Sequence, residues 1–405
     1  MSELKEFAEA LLDQISVETD EEKVITDLSR KIKEDTSFTI KFDSLEKISE
    51  ELFPKMAEKV NEFTGIPVSN DLKIEYLGLE DFKRLKGRKV FATNDSIEFV
   101  NQLFDSVAKN DTDGIIKSIE NDTAKFLVYS TYVKSYLSKI STTYGDFLDS
   151  TIYLNKFILA NYPQIILYKQ GHPYESNFES VNSGYIGALK MTILEEQIHS
   201  TQTNLQEKNK TAAINVNSIN EELAKIILGI DDKTATILAD YLQLPAVPDE
   251  FPIAKRANLF FYLNPDNFIV NILGPDVMTY THVEIDPKIS ELVPNITDIY
   301  QRWLLPIQTH QSVFSTMEGI AEFSIKNILK NDNDFQNYLT TFMGTDFSSY
   351  AVQKNMGKDF TEKVFEKFGK NSFKILLESP PSTKELKEPE IYLKRDLSTG
   401  SEFLK

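Results

Sequence analysis

The 405-residue sequence predicts a mostly α-helical chain with a small mixed β-sheet, an α+β arrangement. Three observations carry that expectation. Apolar residues recur at spacings of three and four over most of the chain. Two short stretches, 72–77 and 150–155, alternate with period two instead. A hydrophobic fraction of 41% against 26% charged is enough for a sizeable core.

Taken in order, helical spacing covers 3–15 and 20–34. It is strongest from Ser44 to Phe63, where Leu45, Ile48, Leu52, Met56, Val60 and Phe63 form one stripe. Gly65-Ile66-Pro67 is the stop signal. Residues 72–77 then read as a strand, followed by a short helix from about Glu80 to Leu85. Further helical patterns lie near 95–109 and 122–142. At 145 the character changes, so the chain is divided into a helical N-terminal region, 1–144, and a second domain, 145–405. Gly145 to Leu154 reads as a turn into a strand, and 171–183 as a loop. An uninterrupted helical pattern from about Gly184 to Lys208 follows. Pro245, Pro248, Pro252, Pro265, Pro275, Pro287 and Pro294 mark loops. One more long helix starts before Val313 and ends near Leu329.

Carboxylates outnumber Lys and Arg by 62 to 44, a formal net charge of −18. Such a surface repels phosphate backbones and anionic lipid, so neither nucleic acid nor a membrane is an expected partner. The absence of cysteine excludes disulfide scaffolds, thiol nucleophiles and Cys-ligated metal. The N-terminal residues form no apolar run of secretory type. No stretch approaches the roughly 18 apolar residues of a spanning helix. A soluble cytoplasmic protein is expected.

Histidine occurs only at 172, 199, 282 and 310. Gly-x-Ser-x-Gly, Gly-x-x-x-x-Gly-Lys-Ser/Thr and Gly-x-Gly-x-x-Gly are all missing, so hydrolase elbows and nucleotide cradles have no support. The informative segment is Glu195-Glu196-Gln197-Ile198-His199. On a helix, Glu195 and His199 stand one turn apart on one face and can reach one metal ion. Glu196 is rotated from Glu195 by about 100°, the offset of a general base beside a metal site. Glu196-x-x-His199 also fits half of a di-metal carboxylate site, but the second such pair is absent. A later helix contains Glu318-Gly319-Ile320-Ala321. Its interior glycine costs about 1 kcal/mol against alanine and suits a close approach by another helix or by a metal.

With both segments in view, the chain resembles the gluzincin metallopeptidases, in particular a subgroup whose active helix reads His-Glu-Leu-Thr-His-Ala-Leu-Gln. Residues 195–202, Glu-Glu-Gln-Ile-His-Ser-Thr-Gln, match that pattern at the catalytic Glu (Glu196), the second His (His199) and the trailing Gln (Gln202), and depart from it at the first His. Glu318-Gly319-Ile320-Ala321 is similar to the segment carrying the third metal ligand. Tyr350 with Gly357-Lys358-Asp359-Phe360, and the closing Pro380-Pro381-Ser382-Thr383 through Tyr392, resemble later motifs of the same subgroup.

The resemblance implies a zincin-like domain over 145–405 with an insertion at about 209–310. Glu195, His199 and Glu318 are then the metal ligands, Glu196 the catalytic base, and a peptide or protein the substrate. Because Glu195 stands where the family has His, the ligand charge rises from −1 to −2. Zinc is the implied ion, with manganese or iron favoured by the more oxygen-rich set. Three outcomes stay open: a working peptide hydrolase, a weak metal binder, and a metal-free pseudo-enzyme that binds a peptide or partner in the former cleft.

Overall fold

The computed structural model of the protein describes residues 5–6, 8–9, 20–137, 143–247, 252–266, 280–342 and 351–395. In chain order the elements begin with α1 (Asp20–Glu34), α2 (Leu45–Thr64), β1 (Lys73–Leu77), α3 (Leu79–Arg88), α4 (Asn94–Ala108), α5 (Thr112–Asn121) and α6 (Thr123–Leu137). There follow β2 (Gly145–Leu148), β3 (Thr151–Asn155), α7 (Lys156–Gln170), α8 (Glu175–Ser200), α9 (Thr203–Gly229), α10 (Asp232–Tyr241) and α11 (Pro252–Leu263). The last group is α12 (Pro287–Leu292), α13 (Ile296–Ile328), α14 (Asn333–Thr341), α15 (Ala351–Phe368), α16 (Asn371–Glu378), α17 (Thr383–Lys387) and α18 (Pro389–Tyr392). The protein is therefore mostly helical with one small mixed sheet. Among the described residues, no helix is long and apolar enough to cross a membrane.

The chain separates into two units. One comprises Met1–Val17, Lys83–Ser138 and Lys208–His310; the other comprises Glu18–Phe82, Lys139–Glu207 and Gln311–Lys405. Residues 1–144 are thus shared between the two units, and position 145 is the first residue of β2.

The first unit is helical throughout its described elements. Phe99, Leu103, Phe104, Phe126, Phe260 and Trp303 are buried in it. It also buries two carboxylates with their donors. Glu221 accepts from Tyr129 Oη at 2.7 Å and Ser96 Oγ at 2.9 Å. Asp266 accepts from Trp303 Nε1 at 2.6 Å, Asn220 Nδ2 at 2.5 Å and Tyr132 Oη at 3.2 Å. Burial raises the Asp266 carboxyl above its usual range, although these donors oppose the shift.

The second unit holds the sheet, in the order β1-β3-β2. Central β3 buries Ile152 and Leu154 completely. β1 pairs with it in parallel, Lys73 opposite Thr151 through Leu77 opposite Asn155. β2 pairs antiparallel, Gly145 opposite Leu154 and Leu148 opposite Thr151. The turn and single strand expected over 145–154 are therefore two strands. Asp149 and Ser150 join them with φ of 49° and 60°. Two consecutive positive φ values make the tight hairpin turn that matches strand twist. Neither residue is the glycine that usually announces it.

Helix α2 follows its sequence stripe. Ser44 caps the first turn by accepting from Lys47 N, and Gly65 ends the helix in the left-handed conformation at φ 71°. Leu45, Ile48, Leu52, Met56 and Val60 are buried in the core, each worth about 2 kcal/mol relative to exposure.

Helix α8 lies at the centre of this unit, packed by α14, α2, α7, β2 and β3. A Cβ on Gly145 would meet the Thr192 methyl at 2.6 Å, so the start of β2 lies directly on α8. On the side facing α14, a Cβ on Gly187 would stand 2.1 Å from the Asp334 carbonyl oxygen. Next to that approach, Lys190 Nζ pairs with Asp332 and Asp334 at 2.7 Å each.

The structure corrects the expected extent of α8 at both ends. It begins at Glu175, inside the stretch read as loop, and stops at Ser200, where an uninterrupted helix to Lys208 was expected. The polar run Ser176 to Ser183 hides the start, but tertiary contacts secure it. Val181 is fully buried, Phe178 packs on Phe42 at 5.2 Å, and Ser183 donates to Asp334 at 2.6 Å. Long helix α13 starts before Val313, as expected, with Ile296 as its first residue. Of the expected pattern over 122–142, residues 138–142 lie outside the described residues, as does most of 3–15.

Candidate metal centre

Residues of the second unit on two helices supply the site. Glu195, Glu196 and His199 stand on the last turns of α8, and Glu318 stands on α13. One ligand atom each from Glu195, His199 and Glu318 can be chosen so that all three lie within 4.8 Å of one another. The fold therefore brings together residues 119 positions apart, as the sequence expects. Glu196 is buried at 7% exposure.

The His199 ring is fixed from behind. Its Nδ1 lies 2.9 Å from Gln202 Oε1, while Gln202 Nε2 donates to the Met317 carbonyl at 3.1 Å. Because the amide nitrogen is committed to Met317, Gln202 presents its oxygen to the ring, and Nδ1 carries the proton it accepts. Nε2 then faces Glu318 Oε1 at 3.7 Å, beyond hydrogen-bonding distance. Gln202 is fully buried and couples the end of α8 to the residue preceding Glu318. Gln206 Nε2 completes this corner by donating to the His199 carbonyl at 2.9 Å.

Electrostatics are strongly acidic around the ring. Burial pulls the His199 pKa down, but the carboxylates of Glu318, Glu196 and Glu195, together with the Gln202 hydrogen bond, outweigh it. The net effect holds the pKa above its ordinary value.

A residue absent from the sequence-based site completes the cluster. Lys354 Nζ lies 3.0 Å from Glu318 Oε2 and 3.4 Å from Glu195 Oε1. Its helix, α15, meets α13 backbone to backbone. A Cβ on Gly319 would fall 2.1 Å from the Gly357 carbonyl carbon, and one on Gly357 would fall 1.8 Å from the Ser315 carbonyl oxygen. Glu318 adjoins one glycine, and Lys354 precedes the other by about one helical turn. Counting back one turn from Gly357 was the available signal.

The later motifs hold α15 in place. Phe360 is buried edge-on against Tyr392, with ring centroids 5.1 Å apart. Tyr392 donates to the Ser379 carbonyl at 2.6 Å. Ser382 and Glu385 form a reciprocal capping box, and Arg395 pairs with Glu385. Tyr350 lies outside the described residues. The remaining histidines are not members of the cluster. His172 rests on the Tyr174 ring at 4.0 Å, His282 contacts Gln301 Oε1 at 3.1 Å, and His310 belongs to the first unit.

No family model matches the chain, and neither does a curated protein or a solved structure.

The donor set suits one divalent ion. Zinc binds carboxylate oxygen and imidazole nitrogen at about 2.0–2.2 Å, which calls for ligand atoms roughly 3.5 Å apart. The three side chains need to close by about 1 Å, a rotamer-scale adjustment for two glutamates.

Proposed function

We propose that the protein is a zincin-like, metal-dependent hydrolase of peptide bonds with an altered ligand set. Glu195, His199 and Glu318 would hold the ion and Glu196 would act as general base. The observation that carries this reading is the convergence of Glu318 on the Glu195–His199 face, with Gln202 orienting the imidazole toward it. When bound, the ion would polarise a carbonyl and acidify water. Two carboxylates and one imidazole favour manganese or ferrous iron over zinc. Glu196 takes a proton from water at its carboxylate and returns it to the departing amine. His199 and Gln202 keep the ring fixed, so no reorganisation is needed during turnover.

A second reading, a zincin-like protein that binds peptide without catalysis, is favoured by Lys354. Its ammonium already offsets charge on Glu195 and Glu318.

Metal analysis of protein purified without chelator, paired with peptidase assays of Glu196→Gln, separates the two. The hydrolase reading expects bound metal in both proteins and a loss of at least about a hundredfold in turnover for the variant. Metal-free wild type that hydrolyses no peptide with added manganese or zinc would leave the second reading.

A further inference from the structure

We infer that Lys354 is a built-in competitor for the metal: its ammonium occupies the carboxylate site, and an ion must displace it to bind. This deepens the metal-site reading and rests on it.

Glu318 faces both His199 and Lys354. Oε1 faces His199 Nε2 at 3.7 Å, and Oε2 faces Lys354 Nζ at 3.0 Å. Lys354 also reaches Glu195 Oε1 at 3.4 Å, so one ammonium spans the two carboxylates that belong to the ligand set. An ion bonded to His199 and both carboxylates at about 2.1 Å would draw on the same two carboxylate groups that hold the ammonium through Glu318 Oε2 and Glu195 Oε1. Two cations held by one pair of carboxylates repel strongly in a partly buried site.

Displacement is structurally feasible. The Gly319–Gly357 crossing fixes the backbone of α15, but the lysine stem is flexible. The Lys354 side chain is 26% exposed, against 14% for Glu318, so the ammonium has a route to water. Charge in the cluster points the same way. With Lys354 in place, Glu195 and Glu318 present a net charge of about −1 to an incoming ion, and with it withdrawn about −2. Lys354 therefore sets the metal concentration at which the site loads. At low metal it keeps the carboxylates paired and the site closed to other cations.

The test titrates manganese and zinc against a chromophoric chelator in wild type, Lys354→Met, Lys354→Gln and Lys354→Arg, with folding followed by thermal melting. His199→Ala reports whether the ion sits at this centre. Lys354→Met and Lys354→Gln should bind about ten- to a hundredfold more tightly than wild type, the weight of one lost charge-assisted contact. Lys354→Arg, which keeps the charge and can grip both carboxylates, should bind no more tightly than wild type. Metal binding by Lys354→Met but not by wild type would also support the inference, as the extreme case of competition. If wild type and the folded Lys354→Met and Lys354→Gln variants bind equally at a His199-dependent site, Lys354 is no competitor and only the metal reading stands. If none of them binds, the metal reading itself falls.

Discussion

Gly319 and Gly357 face each other at the crossing of α13 and α15, so close that a Cβ on Gly357 would stand 3.1 Å from the Gly319 Cα and 1.8 Å from the Ser315 carbonyl oxygen. That contact sets the separation of the two helices carrying Glu318 and Lys354, and with it the geometry of the acidic cluster. A helix-interior glycine is a local cost, and here the close approach it permits is the compensation.

Gly357→Ala should accordingly destabilise the protein, although alanine is the better helix former. The propensity gain is about 1 kcal/mol. Forcing a methyl into a backbone contact costs about 1–3 kcal/mol or more. A lower melting temperature and weaker metal binding are expected together; a melting temperature at or above wild type would contradict the close crossing.

Gln202→Leu addresses the orientation of His199. The substitution removes the acceptor at Nδ1 and leaves the Met317 carbonyl without its side-chain donor. Losing such an outer partner typically weakens metal affinity by about 10- to 100-fold. Chelator competition on the purified variant measures it. Unchanged affinity would mean that the ring is held by other contacts.

Lys190→Met tests the clamp between α8 and α14. Lys190, Asp332 and Asp334 are all mostly shielded, with side-chain exposures of 15%, 14% and 28%. Removing the ammonium leaves two neighbouring carboxylates without it, and a loss of about 2 kcal/mol is expected after allowance for solvent screening. Asp332 loses the hydrogen bond and charge that now help hold its pKa down against burial. The defect should therefore be larger at neutral pH than near pH 4, as read by urea unfolding.

The pH dependence of the first unit should follow His310. Its Nδ1 is sealed from solvent, and burial pushes the ring pKa from 6.5 down to about 4, partly opposed by a contact with the Asn209 backbone. The unfolded chain therefore binds a proton between these values while the folded chain does not. Stability is unaffected above about pH 6.5, declines as pH falls from 6.5 toward 4, and the loss levels out below that. A decline of about 3 kcal/mol is expected. In His310→Leu that part of the decline should disappear; an identical pH profile would show that His310 is not its source.

Several features were legible because they depend only on neighbours in sequence. The α2 stripe, its Gly65 stop and the Glu195–His199 pairing all follow from a fixed helical period. Gly319 was readable as a close-packing position because its local cost needs an explanation. The start of α8 was not legible, since its first turns are polar and are secured by Phe42 and Asp334 from elsewhere in the chain. Nor was the Asp149–Ser150 turn, where the hairpin imposes positive φ on two ordinary residues.

By itself, then, the sequence determined the helical class, the presence of a small sheet and three carboxylates and an imidazole available for one centre. Only the tertiary structure decided that Lys354 stands among them and that Gln202 fixes the ring. The physical reason is that Lys354, and the Gln202 amide that orients the ring, are both held by contacts with distant elements. Lys354 reaches Glu195 across 159 positions and Gln202 reaches the Met317 carbonyl across 115, and such pairings are set by helix crossings rather than by local periodicity.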